Sequence, residues 1–299
     1  MSQKRTLVIT GAASGFGLEF ARLGAARGDN IVMADVEQVA LDAAANEIRA
    51  MGVEVLAQRV DVSKPEQIDA LAAETLSRFG APHWVFNNAG VGSGGFVWEN
   101  TLKDWDWVMG VNVMGVVYGV KAFTPMMLER AKTEPSYRGC IINTASMAGL
   151  LNAPTMGIYN VSKHAVVSLT ESLYQDLSLV SDQVTAALLC PFFVATGISQ
   201  SHRNRPAELR NGIKPTASQL VAQAQSDKAV SSGKVSAADV AKRVFEAVEA
   251  GEFYIYSHPN ALKVVETRMR DIVDSRNPTD PFIDKPEIGA ALRAKLRAM

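Results

Sequence analysis

Tyr159 and Lys163 stand four residues apart in the run Tyr159-Asn-Val-Ser-Lys163. On a helix, residues at i and i+4 share a face, so the phenol and the ammonium would be neighbours. A free tyrosine titrates near ~10 and is a poor base at neutral pH. An adjacent cation favours the phenolate and brings that value towards working pH. Such a pair can exchange a proton with a reacting oxygen. Ser146 lies thirteen residues before Tyr159, at the end of Asn143-Thr-Ala-Ser146. Its hydroxyl can donate to a substrate oxygen and share a developing alkoxide with Tyr159. A Tyr/Lys pair alone is common on ordinary helices, so its surroundings must carry the case.

The strongest of those surroundings is Thr10-Gly11-Ala-Ala-Ser-Gly15-Phe-Gly17, between the first apolar run and a helical stretch. Glycines there let the backbone turn tightly and approach a phosphate. The helix that follows offers free N–H groups and a positive dipole end to a pyrophosphate. Asp35 comes eighteen residues after Gly17, at the end of a second apolar run. A carboxylate at that position accepts from the adenosine ribose hydroxyls and repels a 2′-phosphate. Neither Val36 nor Ser14 is basic, so NAD is expected in preference to NADP. Asp61 follows the third run and reads equally well as a turn or capping residue. Asn87-Asn88-Ala89-Gly90 ends the fourth, where small residues leave room for a cofactor and an Asn pair can also be simple turn chemistry.

Short apolar runs alternate with helical stretches along the chain. Strands are expected at 5–10, 30–34, 53–60, 83–87, 139–145, 183–190 and 252–256. Helices are expected at 15–27, 37–51, 64–79, 101–132, 158–180 and 237–250, with a Gly-rich loop at 90–95. This order implies βαβ units and a parallel sheet. Strands apolar on both sides imply helices on both faces, in an open doubly wound α/β arrangement. The chain is expected to be one domain over 1–299. A polar excursion at 197–236 is too long for an ordinary loop, and reads as a segment with its own helix or a mobile lid. The tail after Asn277 holds three prolines and is expected to wrap the surface.

Composition narrows the setting. The 299 residues are 47% hydrophobic and 20% charged, ordinary for a globular chain with a sizeable core. A formal net charge of -1 gives no basic field for nucleic acid or an anionic membrane. No run of eighteen apolar residues suggests a membrane span, and no signal segment precedes the first strand. Cys140 and Cys190 sit in apolar runs and read as buried thiols, which fits a cytoplasmic location. The four histidines show no ligand spacing, so no metal is expected.

Together these residues resemble the short-chain dehydrogenase/reductase superfamily. The resemblance rests on TGxxxGxG at Thr10–Gly17, Asp61, NNAG at Asn87–Gly90, Asn112, Ser146, YxxxK at Tyr159–Lys163, and Pro191 through Thr196. It covers about residues 4–256 and implies a single Rossmann fold with a seven-stranded parallel sheet. It implies a catalytic set of Asn112, Ser146, Tyr159 and Lys163. Asn112 would support a proton-relaying water, and Lys163 would bind the nicotinamide ribose. The implied cofactor set is Gly11, Ser14, Gly15, Phe16, Gly17, Asp35, Asp61, Val62, Asn88, Ala89, Gly90, Pro191, Val194 and Thr196, with Tyr159 and Lys163 shared between cofactor and catalysis. Within it, Asp61 would contact the adenine and Thr196 the carboxamide. The implied activity interconverts a secondary alcohol and a ketone with NAD(H), in a homodimer or homotetramer built on the two long helices.

The chain departs from the family pattern at Phe192, where a glycine usually follows the proline, with Phe193 beside it. Residues 257–299 extend beyond the family core. Met147, Leu150, Leu151, Met156, Phe192 and Phe193 suggest a largely apolar substrate pocket, though about half of them should simply pack in the core. Arg203, Arg205 and Arg210 read mainly as solvated charges, with an acidic substrate or cofactor phosphate as the alternative. A dinucleotide sensor without turnover would be expected to lack part of the catalytic set. A sugar-nucleotide epimerase would be expected to carry GxxGxxG.

Overall fold

The computed structural model describes residues 4–298. The apolar runs form seven strands: β1 (Thr6–Thr10), β2 (Asn30–Asp35), β3 (Val55–Arg59), β4 (Trp84–Asn87), β5 (Gly139–Thr144), β6 (Val184–Cys190) and β7 (Tyr254–Tyr256). All pair in parallel, in the order β3-β2-β1-β4-β5-β6-β7. The order reverses between β1 and β4. That switch opens a crevice at the carboxyl ends of the strands, where sheets of this kind bind ligands.

Helices cover both faces. The ten α-helices among the described residues are α1 (Gly15–Ala26), α2 (Gln38–Ala50), α3 (Pro65–Phe79), α4 (Leu102–Met109), α5 (Gly115–Thr133), α6 (Gly157–Ser178), α7 (Ala217–Ser231), α8 (Ala237–Glu249), α9 (Leu262–Val273) and α10 (Pro286–Arg297). Alternate strand residues supply the two cores. Leu7, Ile9, Ile31 and Met33 face Phe20 of α1, Leu41 of α2 and Phe245 of α8. Val8 and Val32 face Leu71 of α3, Phe123 of α5 and Leu173 of α6. This period-2 split explains why the strands read as unbroken apolar runs.

Three departures from the sequence reading bear on the site. The helix expected at 101–132 is broken by a π turn, Gly110–Met114, with the Gly115 N–H bonded to the Gly110 carbonyl. The run Leu102–Thr133 is long and apolar enough to match a membrane span, yet here it packs along the sheet. The excursion after Thr196 is no departure, since it holds a helix of its own, α7, after 3-10 turns at Gly197–Asn204 and Ala207–Leu209. The tail after Asn277 is not a simple wrap, since it holds α10, and α9 stands just before it. A polar, Pro-rich stretch hid α10 because that helix presents only a narrow apolar stripe.

Candidate active site

One cavity of about 1400 Å³ opens at the switch between β1 and β4. It exceeds the roughly 300–1,000 Å³ usual for one small ligand, so it can take a dinucleotide and a second molecule together.

The glycine loop forms its floor. Gly11 has φ +67° and Gly15 φ +55°, which glycine adopts without strain. A Cβ on Gly11 would stand 3.0 Å from the Ala89 Cα, so the loop and the end of β4 meet backbone to backbone. Ser14 precedes α1 without capping it through its side chain, and it lines the cavity. Gly17 does not line it; a Cβ there would fall 2.0 Å from the Gly11 carbonyl oxygen. Its lack of a side chain lets the turn fold back on Gly11. The Thr10 hydroxyl accepts from the backbone N–H of Asn88 and of Ala89, at 2.9 and 3.1 Å, and donates to the Phe86 carbonyl. The Asn88 amide donates to the Thr10 carbonyl at 3.0 Å. Thr10 and Asn88 thus lock β1 to β4 beneath the crevice.

Asp35 ends β2 with both carboxylate oxygens engaged. One accepts the Ala13 N–H and the other the Glu37 N–H, each at 3.0 Å. The carboxylate therefore ties the glycine loop to β2, and each oxygen keeps a lone pair for a ribose hydroxyl. Asp61 accepts from the N–H and hydroxyl of Ser63, at 3.0 and 2.7 Å, so it is a turn residue that also lines the cavity. Phe16, Val62, Ala89, Gly90, Pro191, Val194 and Thr196 line it as well.

Tyr159 and Lys163 sit in the first turns of α6, with Ser146 just beyond β5. The Ser146 hydroxyl donates to the Pro191 carbonyl at 3.4 Å and accepts from the Ala148 N–H at 3.1 Å, and its proximity favours the Tyr159 phenolate. The Lys163 ammonium lies 5.7 Å from the centre of the Tyr159 ring and donates to the Thr144 carbonyl at 2.9 Å. Lys163 is buried, and burial pulls it down to about 8. Burial also pushes the Tyr159 phenol up. Among these protein groups, desolvation of the phenol outweighs the lowering by Ser146.

Asn112 lies wholly buried in the π turn and does not line the cavity. Its side-chain oxygen accepts the Val91 N–H at 2.8 Å, and its amide donates to Val91 and Ser162. It joins the π turn to the strand-four loop and to α6, next to Lys163. Gly119 lets α5 approach closely, since a Cβ there would overlap the Asn87 side chain.

The substrate end is built by segments that the motifs did not mark. Met147, Leu151, Met156, Phe192 and Phe193 line it, whereas Leu150 packs in the core. Residues of α7 and of the tail, including Phe282, Ile288 and Leu292, form its outer wall. Ile288 and Leu292, at i and i+4, were the available signal. Arg205 is not a solvated charge: it pairs with buried Asp104, which also accepts from Asn211 and caps α4 with Thr101. Arg203 pairs with Glu37 across the cavity rim.

A doubly wound sheet, a glycine loop at its switch point and a Ser–Tyr–Lys cluster facing that loop define a dinucleotide-dependent oxidoreductase of the short-chain class. The family model for short chain dehydrogenase matches residues 5–207, and the chain belongs to that family. A CLA biosynthesis dehydrogenase/reductase of Lactiplantibacillus plantarum is 33% identical, with 94% of this chain and 97% of that protein covered. A 1-deoxy-11-beta-hydroxypentalenate dehydrogenase of Streptomyces exfoliatus is 34% identical over 91% of this chain and 88% of its own. The crystal structure of a short chain dehydrogenase/reductase from Burkholderia phymatum in complex with NAD is 53% identical, with a TM-score of 0.90 over 93% of this chain and 98% of that one.

Proposed function

We propose that this oxidoreductase uses NAD(H) to interconvert a secondary alcohol and a ketone on a small, largely apolar substrate, with Tyr159 as general acid and base. The observation that carries the reading is the meeting of Ser146, Tyr159 and Lys163 in the same cavity as the glycine loop. The cradle fits a dinucleotide: Gly11 turns at φ +67° against the Ala89 backbone, where a side chain on it would be crowded, and Asp35 presents a carboxylate beside the loop. NAD bound in the dehydrogenase from Burkholderia phymatum supports the choice of cofactor. When bound, the nicotinamide supplies hydride exchange at the carbinol carbon. In oxidation, the Tyr159 oxygen takes the hydroxyl proton and Ser146 donates to the oxygen left behind. In reduction, Tyr159 returns the proton. Lys163 holds positive charge beneath the phenol, and Asn112 fixes the turn against which Lys163 packs.

Subunits are proposed to pair through the faces of α4 to α6, where Leu102, Met114 and Val161 are exposed. A cytoplasmic setting goes with this reading, since Cys140 and Cys190 are buried and free.

The test is NAD reduction over a series of secondary alcohols, from short aliphatic to steroid-like, in wild type and Asp35→Ala. The wild type should reduce NAD with at least one class and discriminate against NADP. Asp35→Ala should relax that discrimination about tenfold or more, as losing a repulsive carboxylate implies. A wild type that prefers NADP would refute the assignment of Asp35.

A further inference from the structure

The excursion leaves the glycine loop at Thr196, whose side chain lies 3.4 Å from where a Cβ on Gly15 would stand. Seven residues later it reaches the tip of β2, where Arg203 Nε donates to Glu37 Oε1 at 3.0 Å. Arg203 Nη1 also donates to the carbonyls of Gly197 and Gln200, at 3.2 and 3.0 Å. The guanidinium thus closes the 3-10 turn on itself and ties it to the far bank. Both partners line the cavity beside Asp35, Val36 and Ala40. The Glu37 backbone is in turn held by Asp35.

We propose that the Glu37–Arg203 pair is a clasp over the adenosine end of the cavity, and a determinant of cofactor choice. The clasp slows escape of NAD. It also keeps the Arg203 guanidinium, placed against the β2 tip inside the cavity, paired with a carboxylate, so a 2′-phosphate finds that cation engaged. Arg59 is nearby, but it donates to the Val36 carbonyl and does not line the cavity. The inference rests on reading the cavity as a dinucleotide site. The two side chains are 42% and 38% exposed, and an ion pair that open adds little to folding. Its effect must therefore be sought in ligand kinetics and not in the melting temperature.

The test follows NADH release by stopped-flow fluorescence, and NADH and NADPH affinity by titration, in wild type, Glu37→Gln, Arg203→Gln and the double variant. Each single variant should release NADH about two- to fivefold faster, and the double no faster than the singles. Glu37→Gln should tighten NADPH about fivefold by freeing the guanidinium for the phosphate, and the added Arg203→Gln should cancel that gain. Wild-type release in both singles, or an NADPH gain that survives loss of Arg203, overturns the clasp. A wild type that binds neither dinucleotide overturns the cofactor reading, and the clasp with it.

Discussion

The protein sets two tyrosines against cations, at opposite ends of one sheet. At the carboxyl end, Tyr159 lies beside Lys163, with Ser146 near enough to favour its phenolate. At the amino end, Tyr137 lies under Arg130, whose guanidinium is 4.8 Å from the ring centre. Burial pushes both phenols up. What separates them is where the hydroxyl goes. Tyr137 donates into the Pro82 carbonyl and is wholly buried. Tyr159 faces a cavity. The same residue pair fastens the fold in one place and can move a proton in the other, because only one has an oxygen that a substrate can reach.

The sharpest way to break this comparison is to remove each hydroxyl. Tyr159→Phe should lower turnover by about 10²–10⁴-fold, the usual worth of a positioned acid or base, while NADH binding and melting temperature stay near wild type. Tyr137→Phe should do the opposite. It leaves the buried Pro82 carbonyl without its donor and should cost about 1–3 kcal/mol of stability, read by chemical denaturation, with turnover per folded molecule retained. Near-normal turnover in Tyr159→Phe would end the catalytic assignment. Equal losses of activity in the two variants would end the distinction.

The cations give a smaller contrast. Lys163→Met removes the positive charge beside a phenol that burial already raises. A nearby cation favours the phenolate, so its loss should move the rising limb of the pH profile for alcohol oxidation to higher pH. Turnover at neutral pH should fall about tenfold or more. Arg130→Met should leave that profile in place. It loses the bond to the Ala81 carbonyl and the ion pair with Glu134, so its effect belongs in denaturation and not in kinetics.

The two ends also differed in how far the sequence revealed them. Glycines, Asp35, Asn88 and the Ser146–Tyr159–Lys163 spacing announce the carboxyl end, because a phosphate turn and a proton relay each demand particular residue types. Strand order followed from the alternation of apolar runs with helices. The π turn at Asn112 was not legible: its apolar pattern continues from α4 to α5, and the register shift is set by α5 packing against Asn87 and Val62. Nor was the pairing of Arg205 with Asp104, which joins positions 101 residues apart. The tail wall was missed because its apolar positions are sparse and gain meaning only when the chain returns to the cavity. At the amino end, His83, Arg130 and Tyr137 carry no motif at all. Their meeting is a consequence of the sheet.

His83 supplies the last and smallest contrast. It is buried beside Tyr137, with ring centres 5.3 Å apart, and its Nδ1 accepts the Thr6 N–H at 3.0 Å. That bond requires a neutral ring. Burial, helped by the charge of Arg130, lowers His83 from 6.5 to about 4. A group whose value falls on folding stabilises the fold above its unfolded value and loses that contribution as pH drops through the folded one. The stability of this protein should therefore decline between about pH 6.5 and pH 4, by as much as about 3 kcal/mol from this residue alone. His83→Asn keeps an acceptor for Thr6 without a titrating ring, and should flatten that slope in urea denaturation at a series of pH values. Lys163 is lowered by the same physics, but it sheds its proton near 8 and leaves this acid window untouched. A slope unchanged by His83→Asn would assign the acid sensitivity to the carboxylates. The amino end would then be a scaffold whose histidine contributes packing and a backbone bond, with no charge to lose.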